Sequence, residues 1–213
     1  MERWATFDCY GTLIDWDGGV RAELARVFDD ERADQLLARY HELEPELQRD
    51  GTMSYRDVLT ESMRRLGAPA GQEHGLAESL PGWRSFPEVQ ASLEELRRRG
   101  WKLGILSNTD DDFIAASQVQ IGVPLDEVVV AQEIGSYKPN HKHWDEFFFR
   151  TKAPREGHVH VGASLFHDIA PANELGLRSV WINRLGERAT VEPTRELSDL
   201  FALPETLDEL VAG

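Results

Sequence analysis

The residues in this 213-residue sequence with the type and setting for chemistry are Asp8, Ser107, Asn108, Lys138 and Asp168. Asp8 closes a short apolar run, Trp4 to Phe7, and Gly11 and Thr12 then turn the chain. A carboxylate at the carboxyl end of a buried strand is costly unless something uses or pairs it. In open α/β sheets that end of the strand is also where ligands bind. Asp8 is therefore a candidate nucleophile; the alternative is an ordinary turn aspartate, since Asp and Gly are common in turns. Ser107-Asn108 follows a second apolar run, Ser164 and Asp168 follow a third, and Lys138 lies in a loop before a helix. In a doubly wound sheet these positions converge on one edge.

The elements that must position them are legible in the hydrophobic pattern. Between the first strand and Phe86 lies a charged region with helical spacing: Val20, Leu24, Val27 and Phe28, then Leu36, Leu37, Tyr40, Leu43 and Leu47, then Val58, Leu59 and Met63. Pro45 is expected to kink or interrupt the second of these helices. Ser54 is placed to cap the third and Gly67 to end it. Asp15 and Asp17 are placed to cap the first. From Phe86 onward, helices alternate with strands. The pattern predicts helices at 87–99, from 110, at 140–150 and at 168–175, strands at 102–107, 127–131, 158–162 and 179–182, and a short helix near 205–211. Residues 186–198 read as a polar surface loop. Such alternation implies a parallel sheet covered on both faces. The fold class is α/β, a Rossmann-like doubly wound sheet (residues 1–15 and 86–213) with an inserted all-helical cap (residues 16–85).

Composition narrows the function. A formal charge of −15 argues against nucleic acid and an anionic membrane as partners. It also repels a small anionic substrate at long range, so local Lys or Arg must hold one. The single cysteine, Cys9, excludes an internal disulfide and reads as a small packing residue. With no apolar leader and no run long enough to span a bilayer, the expectation is a soluble cytoplasmic protein. His141, Lys142 and His143 are consecutive and share no helix face, and His158 and His160 read as structural. Trp16, Trp83 and Phe166 are candidates to wall an apolar pocket.

Four segments in order resemble the motifs of the haloacid dehalogenase superfamily: Asp8-Cys-Tyr-Gly-Thr-Leu13, Leu106-Ser-Asn-Thr109, Tyr137-Lys-Pro139 and Gly162-Ala-Ser-Leu-Phe-His-Asp168. Phosphatases of the superfamily carry a second acid two residues after the nucleophile and another in the fourth motif, where this chain has Tyr10 and Ala163. Mg²⁺ wants several hard oxygen ligands, so the resemblance points instead to the type II (S)-2-haloacid dehalogenases, which need no metal or other cofactor. It implies that Asp8 attacks carbon 2 of a small carboxylate and forms an ester, which water then cleaves. By position, Lys138 keeps Asp8 ionised and steers the substrate. Thr12 and Ser107 hydrogen-bond Asp8. Tyr10, Ser107 and Asn108 bind the substrate carboxylate, and Asp168 pairs with Lys138 and orients water. Arg39, by its spacing from Tyr55, matches the arginine that receives the halide, with Arg32, Arg49 and Arg56 as competitors.

The chain departs from that pattern at Ala163, Leu165 and Trp144, the last standing where a tyrosine is expected near the substrate. His167, beside Asp168, is a candidate base or partner; the alternative is a helix-start residue facing solvent. The fourth motif also resembles a branch whose members open the strained ring of azetidine-2-carboxylate. A Mg²⁺-dependent phosphatase and a non-catalytic binding protein are the remaining alternatives. Dimers are common among relatives, so the resemblance leaves a homodimer open.

Overall fold

The computed structural model describes residues 1–49, 51 and 53–212. Its core is a six-stranded, all-parallel sheet: β1 (Arg3–Phe7), β2 (Trp101–Ser107), β3 (Glu127–Val130), β4 (His158–Gly162), β5 (Arg178–Ile182) and β6 (Arg195–Leu197). The spatial order is β3-β2-β1-β4-β5-β6. The chain fills one side of β1 first and then the other, so the winding reverses between β1 and β4. In doubly wound sheets the ligand crevice opens at that reversal, beyond the carboxyl ends of the strands.

Strands β1, β2 and β4 are buried along most of their length because helices cover both faces of the sheet. Leu103, Ile105, Phe7, Val159 and Val161 are fully buried. The connecting helices are α5 (Val89–Arg98), α6 (Asp111–Ile121), α7 (Ala131–Ile134), α8 (Lys142–Thr151), α9 (Ala170–Glu174) and α10 (Leu203–Leu210). Among the described residues, four α-helices intervene between β1 and α5, namely α1 (Trp16–Val27), α2 (Asp30–Gln48), α3 (Tyr55–Arg65) and α4 (Gly75–Ser79). They share a core of Val20, Leu24, Leu36, Tyr40, Leu43, Val58, Leu59 and Met63. No helix among the described residues is long and apolar enough to cross a membrane.

Several local expectations are met and others corrected. Asp15 accepts from the Gly18 amide at 3.0 Å and caps α1, and Ser54 accepts from the Asp57 amide at 3.1 Å and caps α3. Asp17 caps nothing; it pairs with His41 at 2.8 Å. Pro45 does not break α2, which runs on to Gln48. The proline lies in the last turn, where the missing N–H costs a single hydrogen bond and few helical residues follow. The segment 186–198 is not all loop. Residues 195–197 form β6, whose exposed polar side chains are those of a short strand at a sheet edge.

The expected helix at 168–175 starts earlier and differently. Residues 165–169 form one π turn before α9, with both the Asp168 and Ile169 amides donating to the Ser164 carbonyl at 3.0 and 3.2 Å. Such turns are found at functional sites. This one folds the Asp168 side chain back against β4. A Cβ on Gly162 would come within 2.5 Å of the Asp168 carboxyl group, so only glycine permits the approach.

Candidate functional site

Asp8 follows β1 directly. Its amide donates to the Val161 carbonyl at 2.9 Å, extending the β1–β4 ladder by one residue and fixing where the carboxylate emerges. The chain then turns sharply. Leu13 and Ile14 both donate to the Cys9 carbonyl at 2.8 and 2.9 Å, and Gly11 adopts φ +85°. That left-handed conformation suits glycine. The turn brings Thr12 back to Asp8, and its hydroxyl donates to Oδ2 at 2.9 Å. The same hydroxyl accepts from the Ala163 amide at 2.9 Å, which ties the turn to the end of β4.

Lys138 is the centre of the arrangement. Its Nζ lies 2.9 Å from Asp8 Oδ1 and 2.6 Å from Asp168 Oδ1, with the lysine side chain 1% exposed. The loop that carries it is clamped by Asn108, whose Oδ1 accepts from the Lys138 amide at 2.6 Å and whose Nδ2 donates to the Lys138 carbonyl at 3.1 Å. Asn108 Nδ2 also reaches Gln48 Oε1 of α2 at 3.3 Å. Asp168 is fully engaged: Oδ1 takes Lys138 and, at 3.4 Å, His160 Nε2, while Oδ2 accepts from the Ser164 amide at 3.1 Å.

The charges follow from these contacts. Burial, and then the negative Asp168, push the Asp8 carboxyl up to about 6, with Lys138 opposing. Burial acts on Asp168 too, but Lys138 and the His160 hydrogen bond outweigh it and hold that carboxyl well below the usual range. Burial lowers Lys138, yet its two carboxylate partners more than compensate and keep it charged. Burial drops His167 to about 4, so its imidazole is neutral at pH 7; Ser164 Oγ lies 3.2 Å from its Nδ1.

These groups line a cavity of about 250 Å³ between the strand ends and the inserted helices. Asp8, Tyr10, Ser107, Asn108, Lys138, Ser164, His167 and Asp168 form one wall; Trp16, His41, Glu44, Pro45, Gln48 and Tyr55 form the other. Two calls from the sequence are not brought here. Arg39 lies on the outer face of α2, with 56% of its side chain exposed, and pairs with Glu42. Trp144 is fully buried behind the sheet, edge-on to His160 at 5.0 Å.

Other expected contacts differ in detail. Ser107 does not bond Asp8; its hydroxyl is buried without a partner, beside a carbonyl that accepts from His143 Nε2 at 3.1 Å. The Tyr10 hydroxyl turns to Ser117 of α6 at 3.0 Å, leaving its ring to the cavity. Of the aromatic candidates, Trp16 lines the cavity. Trp83 sits behind Tyr10 at 6.2 Å, and Phe166 is 61% exposed outside it. Missed from the sequence were His41, Glu44 and Gln48, which with Pro45 occupy an i, i+3, i+4, i+7 face of α2. His160 was read as structural. It does bridge to Thr6 at 2.9 Å, but it also touches Asp168.

The chain, whose first strand leads into an aspartate that meets a lysine from the loop after α7 and a second aspartate from the turn after β4, is matched by the family described as haloacid dehalogenase-like hydrolase over residues 6–182. The chain belongs to that family and is a hydrolase. It is 30% identical to the (S)-2-haloacid dehalogenase of Pseudomonas sp. (strain YL), over 97% of this chain and 94% of that one. The crystal structure of the L-2-haloacid dehalogenase RSc1362 superposes with a TM-score of 0.86 at 24% identity, covering 97% of this chain and 99% of that one. A glyceraldehyde 3-phosphate phosphatase of Methanothermobacter thermautotrophicus is 30% identical, over 47% of this chain and 45% of its own.

Proposed function

We propose that this hydrolase cleaves the bond between carbon 2 and its substituent in a small 2-substituted carboxylic acid, through an ester on Asp8 and without a metal. The observation that carries the reading is Lys138 Nζ lodged between Asp8 and Asp168 at 2.9 and 2.6 Å. A fixed ammonium there stabilises the ionised nucleophile and meets the incoming carboxylate. Thr12 aims Asp8, leaving Oδ1 toward the lysine. The unpartnered Ser107 hydroxyl is a donor for the substrate carboxylate, since a buried polar group without a partner is costly until a ligand supplies one. Asp168 and Asn108 hold the lysine and its loop rather than touching substrate. The neutral His167 imidazole, on the same wall, is suited to accept a proton from the water that cleaves the ester.

The donors do not suit Mg²⁺. Both acids are taken by an ammonium, the residue after Gly162 is Ala163, and no group of three or more His, Cys, Asp or Glu among the described residues is arranged to hold a metal ion. The test is a single turnover in ¹⁸O water followed by peptide mass spectrometry, first with 2-chloropropionate. Label in the Asp8 peptide, loss of turnover in Asp8→Asn and indifference to EDTA are expected. Activity lost to EDTA and restored by Mg²⁺ would replace this reading with a phosphatase.

A further inference from the structure

On the face of the sheet covered by α8 lies a line of buried polar side chains that the ester chemistry leaves unused. Thr6 of β1 and His160 of β4 are register partners, and His158 lies two residues before His160, so all three share one face. All are fully buried, as is Asp168. His158 Nε2 lies 2.8 Å from Thr6 Oγ1, Thr6 Oγ1 lies 2.9 Å from His160 Nδ1, and His160 Nε2 lies 3.4 Å from Asp168 Oδ1. Trp144 of α8 is set edge-on to the His160 ring at 5.0 Å, and Phe147 and Phe148 flank His158 at 5.3 and 5.0 Å. The charged and titratable groups near the two imidazoles are Asp168, Lys138, His143 and Arg155.

The acid at the end of this line fixes the direction of every hydrogen bond in it. Burial lowers both imidazoles, so each is neutral at pH 7 and carries a single N–H. An ionised carboxylate only accepts, so the His160 proton sits on Nε2 and its Nδ1 is a bare acceptor. The Thr6 hydroxyl then donates to that Nδ1. Having spent its one proton, it accepts from His158 Nε2–H. His158 Nδ1 is left bare, and it is the ring nitrogen of the line that has no partner. Three uncharged groups thus point their donors toward Asp168.

We propose that His160, oriented by Thr6 and His158 and seated on Trp144, is a positioning residue that gives Asp168 an uncharged donor and so leaves more of Lys138 to Asp8. Its consequence for turnover rests on the Asp8-ester reading; the hydrogen-bond line stands on its own geometry. Asp8 and Asp168 compete for one ammonium, 2.9 and 2.6 Å away. A donor on Asp168 Oδ1 offsets part of that acid's charge without bringing a second cation into the site. Without it Lys138 is drawn toward Asp168, and the Asp8 carboxyl becomes harder to ionise. Asp168 itself stays ionised, because Lys138 and the Ser164 amide still hold it. Trp144 gains a part by the same geometry: it backs the ring that backs the acid.

The test is a ¹³C NMR titration of the Asp8 carboxyl, assigned with Asp8→Asn, in wild type, His160→Leu and His160→Gln. Glutamine places an amide N–H where the imidazole has Nε2–H. His160→Leu should raise the Asp8 midpoint by about 0.5–1 pH unit, the worth of one hydrogen bond, and His160→Gln should bring it back to within about 0.2 unit of wild type. The acid limb of kcat/KM on 2-chloropropionate should move with the midpoint, a loss of about three- to tenfold at pH 5 in His160→Leu. ¹⁵N spectra of the wild type need no variant to fold: His158 and His160 should both appear as neutral Nε2–H tautomers at pH 7. An Asp8 midpoint unmoved in His160→Leu, or raised equally in His160→Gln, would overturn the proposal, as would a proton on His160 Nδ1 in the wild type. Absence of turnover and of ¹⁸O label in Asp8 would sink the ester reading alone, with the titrations still deciding what His160 does.

Discussion

Replacing Lys138 by methionine removes the one charge that lets two buried carboxylates coexist. The attraction across 2.9 Å to Asp8 is on the order of 6 kcal/mol at an effective dielectric of about 20. Deleting one member of a buried pair costs about 3–5 kcal/mol in practice, and the lower figure applies where an orphaned acid can take up a proton. In Lys138→Met the Asp8 carboxyl rises further, because burial and Asp168 already push it up and only Lys138 offsets them strongly. A carboxyl raised in the folded state destabilises the fold as pH climbs through its folded pKa, since the unfolded chain ionises more readily. The variant should therefore lose about 3 kcal/mol at pH 8 and much less at pH 5, read from denaturant midpoints at both. Its kcat/KM should fall at least about 100-fold at pH 7, with the acid limb displaced upward by more than about one pH unit. Equal midpoints at both pH values together with an unmoved acid limb would refute the reasoning.

Three further outcomes follow from the geometry. In the wild type, kcat/KM should decline as pH falls through about 6, where Asp8 takes up the proton that silences a nucleophile; a profile flat to pH 4.5 would contradict its placement. Gly162→Ala drives a methyl group into the Asp168 carboxyl and should cost about 1–3 kcal/mol by thermal or chemical unfolding, with a larger loss of turnover because Asp168 holds Lys138. Arg39→Ala should leave turnover within about twofold and the melting temperature nearly unchanged, as expected for an exposed ion pair.

The strands and the three groups around Lys138 were legible because two signals coincide at each: an apolar run short enough for a strand, and a polar residue at its end. Asp8, Ser107 and the Ser164–Asp168 loop all follow that rule. The helical wall was not legible, because α2 is charged around most of its circumference and nothing in its composition marks the face toward the cavity. Arg39 was chosen by distance along the chain, but each helical residue turns the side chain by about 100°, and two positions separate it from His41. Trp144 failed for another reason: an aromatic on α8 finds more apolar surface behind the sheet than at its edge. The π turn had no sequence signature beyond Gly162, whose missing side chain is what Asp168 requires.

The cation at the heart of this site is covalently part of the chain. A bound ion is subject to loading, exchange and competition by its neighbours in the periodic table, and each leaves a fraction of molecules idle. A tethered ammonium has no dissociation constant, so its charge is in place as soon as the polypeptide folds. The cost is rigidity of position, because a lysine held between two acids at 2.9 and 2.6 Å cannot be exchanged for a charge placed elsewhere.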